Sequence, residues 1–317
     1  MNSRSLSICN YIRFQRHFDR FKPFKLKLFL IALSAALVVQ AVHFPARALA
    51  AAPATSSQTQ APSKLERQVK EWVASLAEQK PFKAWQSADP QIEALGPGTH
   101  SWLVLFTKEG KDIGYMVVHA VMDGSFQLGE YGVGPHSLFS PQVLKRSLID
   151  GGLMTADQAQ RMTAVKHYVH PFAAAWEVKI DEDTYWLDAK TAEQLPVDNA
   201  AWNRMFSPDK PFFQGPPTGS RLVAHRLNEP FDAYEKLPWL TKEAPFPANA
   251  TANVQKRLDG KQHLRYVTEP FGDAMLYAVP IIGYQRWSNG RMDLAIDMEG
   301  TRYVPIGALL RQGLFYR

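Results

Sequence analysis

Apolar positions along this chain follow two different periods, and the change from one to the other marks its elements. Across residues 64–80, Leu65, Val69, Trp72, Val73, Leu76 and Ala77 share one helical stripe, which predicts an amphipathic helix ended by Pro81. Strand-like runs then cover 101–106, 113–121 and 125–131, separated by Glu109-Gly110 and Asp123-Gly124, so an antiparallel meander is predicted. Two short helices are expected at 141–149 and 155–162, parted by Gly151-Gly152, with Thr155 as N-cap. Strands resume at 165–169, 173–180 and 184–187. Nine prolines fall between Pro196 and Pro247, which reads as an ordered connection pinned by its aromatic residues rather than as sheet. The last section returns to strands at 264–268, 275–285, 291–296 and 302–304, with Asn289-Gly290 as a hairpin turn and a helix at 306–311. The pattern as a whole is α+β.

Charge changes the picture at the N-terminus. Eight of the 36 Lys/Arg and one of the 30 Asp/Glu lie in residues 1–50, leaving 28 basic and 29 acidic groups in 51–317, a net of −1. The overall surplus of +6 therefore belongs to the leader and is no argument for a nucleic-acid partner. Seven basic residues precede an uncharged run from Leu28 to Val42, which leads to Ala48-Leu49-Ala50. That order is the grammar of a signal peptide, or of an uncleaved anchor through residues 28–50, the only membrane contact expected. Residues 51–63 form a small, polar spacer. The single cysteine, Cys9, sits in the leader, so the exported part has neither disulfide nor thiolate ligand.

Two stretches carry resemblances. Trp176-Glu177-Val178-Lys179-Ile180, followed by Tyr185-Trp186-Leu187-Asp188-Ala189-Lys190-Thr191-Ala192-Glu193, resembles the closing hairpin of PepSY-type domains, Ala192 standing where that family carries Gly. Gly114-Tyr115-Met116-Val117-Val118 with Gly129-Glu130-Tyr131-Gly132 is similar to the propiece of secreted papain-like peptidases. These likenesses imply an extracytoplasmic module over residues 64–198. Downstream, the segment from Phe213 to Leu227 resembles the opening of bacteriocin-processing, papain-like cysteine peptidases, in which a Gln and a Thr-Gly-Cys lead into a helix. Tyr277-Ala278-Val279-Pro280-Ile281-Ile282-Gly283-Tyr284 is similar to the strand bearing that family's histidine, and Ala295-Ile296-Asp297 to the strand bearing its Asp.

The resemblance implies a degenerate site in a β-rich domain over 199–317. Gln214 and Asp297 match the oxyanion and orienting residues, Ser220 replaces the nucleophile, and Tyr277 replaces the base. A serine without a neighbouring base attacks poorly, and a phenol with pKa about 10 is a poor base at neutral pH. The expectation is an exported cell-envelope pseudo-peptidase that binds a peptide or protein, with no cofactor. Two alternatives stand beside it: a hydrolase using Ser220 with His225 or His263, and a structural envelope protein. Other constellations favour structure over chemistry. His167 and His170 are three apart on a strand and face opposite ways, Asp181-Glu182-Asp183 is a charged turn, and His100-Ser101 and His136-Ser137 lack a nucleophile elbow.

Overall fold

The computed structural model describes residues 63–96, 99–205 and 220–317. The leader, the spacer before Ser63 and Gln214 lie outside these residues. Helix α1 (Lys64–Leu76) opens on a capping box in which the Glu66 amide donates to Ser63 Oγ at 3.2 Å and the Glu66 carboxylate accepts from the Ser63 amide. Such a cap is worth about 1 kcal/mol. The helix stops four residues short of the expected Lys80, and Pro81 instead opens a 3-10 helix (Lys80–Ser87), where a missing N–H costs nothing.

Strands β1 (Asp89–Ala94), β2 (Ser101–Lys108), β3 (Lys111–Ala120) and β4 (Phe126–Val133) form the meander. Helices α2 (Pro141–Asp150) and α3 (Ala156–Arg161) lead to a separate three-stranded antiparallel sheet of β5 (Ala164–His170), β6 (Ala173–Ile180) and β7 (Asp183–Asp188). The helix α4 (Asn199–Met205) starts at Asp198, whose carboxylate accepts the Ala201 amide at 2.7 Å. Beyond it come β8 (Leu222–Leu227), α5 (Thr251–Asp259), β9 (Arg265–Thr268), β10 (Pro270–Asp273), β11 (Tyr277–Trp287), β12 (Met292–Asp297), β13 (Thr301–Pro305), α6 (Ile306–Gln312) and β14 (Gly313–Tyr316).

The meander and the C-terminal strands form one ten-stranded sheet among the described residues. Its order is β1-β2-β3-β4-β13-β12-β11-β9-β14, with β8 also paired to β11. The expected division between 198 and 199 is thus not a break in the sheet, because β13 pairs with β4 through Tyr303 and Tyr131. Sequence-distant strands joined there because each needs a neighbour for its ladder and an apolar face to bury.

Alternation assigns each sheet face a different cover. The face carrying Val104, Phe106, Met116, Val118, Tyr131 and Tyr303 packs under α1 and the 3-10 helix, with Trp72, Phe82 and Trp85 nearly sealed. Trp85 lies flat on Phe106, centroids 4.3 Å apart, and a Cβ on Gly114 would come within 2.4 Å of its ring. That close approach requires glycine. The other face, with Leu103, Tyr115, Val117, Leu294 and Val304, meets the three-stranded sheet and helices α2, α3, α5 and α6. The proline-bearing stretch after β8 is ordered: Phe231 stacks on His263 at 3.9 Å, the Phe246 amide donates to Phe315 O, and Arg265 Nε donates to Ala233 O. Among the described residues no helix is long and apolar enough to cross a membrane.

Candidate functional site

The residues implied by the peptidase resemblance do not come together. Where that resemblance places a helix after Ser220, the chain forms β8, with its side chains alternating between half-buried and exposed. Leu222 pairs with Trp287, and the Arg221 amide donates to Ser288 Oγ at 3.2 Å, so Ser220 lies beside the Asn289-Gly290 turn. Tyr277 is at the opposite end of β11, ten residues away, or roughly 30 Å at 3.3 Å per residue. Its ring is buried against Phe172.

Asp297 follows Ile296, which pairs with Ile281, and so lies about 20 Å from the Ser220 end of the ladder by the same strand rise. Burial, and then Glu299, push its carboxyl above the ordinary range. Proton transfer needs partners within about 3 Å. Neither rival base is placed for Ser220: His225 projects from the opposite, exposed face of β8, and His263 is stacked on Phe231 beyond the strand's far end. The strand, rather than a helix, forms because Leu222, Ala224 and Arg226 alternate with exposed neighbours and fill an open edge of β11.

Ser101 has a different partner from the one its sequence neighbour suggests. Its Oγ is 2.7 Å from Nδ1 of His119, directly across the ladder on β3. Burial, reinforced by Arg291, lowers that histidine to about 3. Such a weak base does not activate a hydroxyl at neutral pH, and the pair is a core hydrogen bond.

A half-open concavity of about 380 Å³ lies along the outer side of β5 and is lined by Gly96, Thr99, His167, Tyr168, Val169, Trp202 and Asn203. Its polar centre is His167, whose Nε2 is 2.8 Å from the Glu177 carboxylate. The carboxylate accepts from Nε2–H, and Nδ1 makes no hydrogen bond within the described chain. Its aromatic wall is Trp202 stacked on Trp186, centroids 4.5 Å apart and 17° from parallel. Trp186 Nε1 donates to Asn199 Oδ1 at 2.8 Å, so both rings are held from α4. Opposite, Gly96 adopts φ +77° and Thr99 Oγ1 donates to the Leu95 and Gly96 carbonyls. His170, three residues on, faces the core, where it accepts the Phe172 amide; burial and then Arg302 lower it to about 3.

No family model, curated protein or solved structure matches the chain. The site therefore rests on its own geometry. Its described lining offers a largely buried tryptophan, the His167 imidazole and the Asn203 carboxamide, groups suited to holding a ligand.

Sequence reasoning placed His167 on a strand as a structural residue and missed Trp202, Gly96, Thr99 and Asn203. The lining comes from three segments far apart in the chain. The one available signal was the period-2 placement of Val165, His167 and Val169, which puts the histidine on the face away from the core.

Proposed function

We propose that this is an exported, non-catalytic binding protein of the cell envelope that holds a peptide or protein segment in the groove beside β5. The observation that carries the reading is the groove itself, in which an aromatic stack and an oriented histidine meet along a strand edge. Export rests on the basic and then apolar order of residues 1–50.

The PepSY-type reading of residues 140–196 is supported by several features. Two helices precede three antiparallel strands, and Asp188 Oδ1 accepts the Lys190 and Thr191 amides to build the closing turn. Ala192, at the family's glycine position, has φ +56°. The inherited-peptidase reading of 199–317 loses its support, because β8 replaces the nucleophile helix and Ser220, Tyr277 and Asp297 stay apart.

Selection of displayed peptides against the full chain tests the proposal. Trp202 is itself packed in a small core with Trp186, so the test uses Asn203→Ala and His167→Ala, with folding checked by circular dichroism. Selected peptides are expected to lose about tenfold in affinity for the pair of changes, equivalent to about 1.4 kcal/mol. Peptides indifferent to both, or labelling of Ser220 or Ser101 by a serine-reactive fluorophosphonate, would contradict it.

A further inference from the structure

We infer that β8 is a dimerisation strand: two copies of the chain pair their β8 edges antiparallel about a twofold axis through His225, so that the ten-stranded sheet continues from one protomer into its partner. This surface lies outside the β5 groove, and its role does not depend on what the groove binds.

Three strands stand at the ends of the large sheet, and two of them are protected. Strand β1 exposes Asp89, Pro90 and Gln91 over its first half, and proline and charge discourage a further strand. Strand β14 is covered where Phe315 O accepts the Phe246 amide. Strand β8 has neither device: it branches from β11, no described strand pairs with its other side, and it contains no proline. The Asn228 amide donates to Ile282 O at 2.6 Å, so Asn228 faces β11. Alternate residues of an antiparallel strand turn their N–H and C=O to the same side, which points the main chains of His225 and Leu227 away from β11. Such an edge is a template for pairing.

The side chains along this edge are complementary to themselves. From Arg221 to Glu229 the odd-numbered residues are exposed and the even-numbered ones half-buried. Two of the exposed ones are apolar, Val223 and Leu227, each 48% exposed. An antiparallel copy centred on His225 sets Val223 against the partner's Leu227, Arg221 against the partner's Glu229, and His225 against its own counterpart. Apolar then meets apolar and positive meets negative, with every contact made twice, and this match selects a second copy of the chain over a foreign strand. Pairing with β11 slips by one residue beside Val223, so the central hydrogen bonds come from His225, whose main chain donates to and accepts from its counterpart.

Disulfide trapping tests the geometry. In a chain carrying Cys9→Ser and His225→Cys, the introduced thiols face each other at a Cα separation of about 5.5 Å, within the span a disulfide bridges. Mild oxidation is expected to yield a covalent dimer, and its absence would overturn the register. Sedimentation equilibrium of the full chain tests the interface itself. Leu227→Lys, present twice by symmetry, is expected to raise the dimer dissociation constant about tenfold or more. Arg221→Glu is expected to raise it several-fold, and adding Glu229→Arg to bring it back. All of these positions are exposed, so the changes leave the fold intact. A monomer at every concentration, or a dimer that neither Leu227→Lys nor Arg221→Glu weakens, overturns the inference.

Discussion

Two acid–base side-chain pairs in this molecule sit on either side of the same three-stranded sheet, and they differ in what surrounds them. Towards the core, Arg302 donates to Glu130 at 2.7 Å and to Pro171 O, Tyr115 adds a hydroxyl to Glu130, and both charged groups are at most 2% exposed. Lys190 lies over the Tyr115 ring and donates to His136 O at 2.8 Å. On the outer face, His167 and Glu177 form a hydrogen-bonded pair about one-fifth exposed, next to a cavity, and Nδ1 of His167 makes no hydrogen bond among the described residues. The inner set is closed: its donors tie the small sheet to the large one. The outer set is open, and an oriented polar group at a groove is what a binding site needs.

The contrast is broken most severely by Glu130→Gln, which strands the Arg302 charge in the core. We expect a loss of about 3–5 kcal/mol in chemical denaturation. A loss below 1 kcal/mol would mean that water reaches this network.

The pH dependence of stability sharpens the contrast next. Burial, helped by repulsion from Arg302, lowers Lys190 to about 7 against opposing attraction from Glu130, Asp188 and Glu299. Above that pH the folded lysine is neutral while the unfolded one stays protonated up to its usual value near 10.5. The unfolded state then binds more protons, so stability rises as pH climbs from about 7 towards 10, by at most about 1.4 kcal/mol per unit from this group. Lys190→Met is expected to flatten that rise, and urea midpoints measured across the window read it directly.

Glu177→Gln belongs to the open side. It should cost less than about 1 kcal/mol of stability, as expected for a pair that water already reaches. The same change frees His167 to rotate, and a several-fold loss of affinity for groove-selected peptides is expected. Smallest of all is Ala192→Gly. Relief of the left-handed backbone and loss of a buried methyl oppose one another, and the net change should stay within about 1 kcal/mol by thermal unfolding.

Much of the fold was legible because buried strands read as short, β-rich apolar runs bounded by turn residues. The strands β2, β3, β5, β6, β11 and β12 each lie within a few residues of their expected range, and β11 and β12 are buried on both faces. Edge strand β1 escaped notice, with Pro90 at its start and almost no buried side chain to betray it. Helix α5 was missed for a related reason, since Val254 and Leu258 alone mark its buried face. At β8 the resemblance to a peptidase outweighed a correct local signal, the alternation from Leu222 to Leu227. The groove itself was not legible. Gly96, His167 and Trp202 meet only through a fold in which β5 runs past the loop after β1, and no local period records that proximity.

Hydrogen exchange across the described chain, with and without a selected peptide, addresses the central claim most directly. Binding in the groove requires that amides in the segments lining it, 167–169 and 202–203, become markedly slower to exchange, while amides around Ser220 and β8 keep their rates. Unchanged rates in both lining segments under saturating peptide, or protection confined to the Ser220 end of β8, would contradict the account.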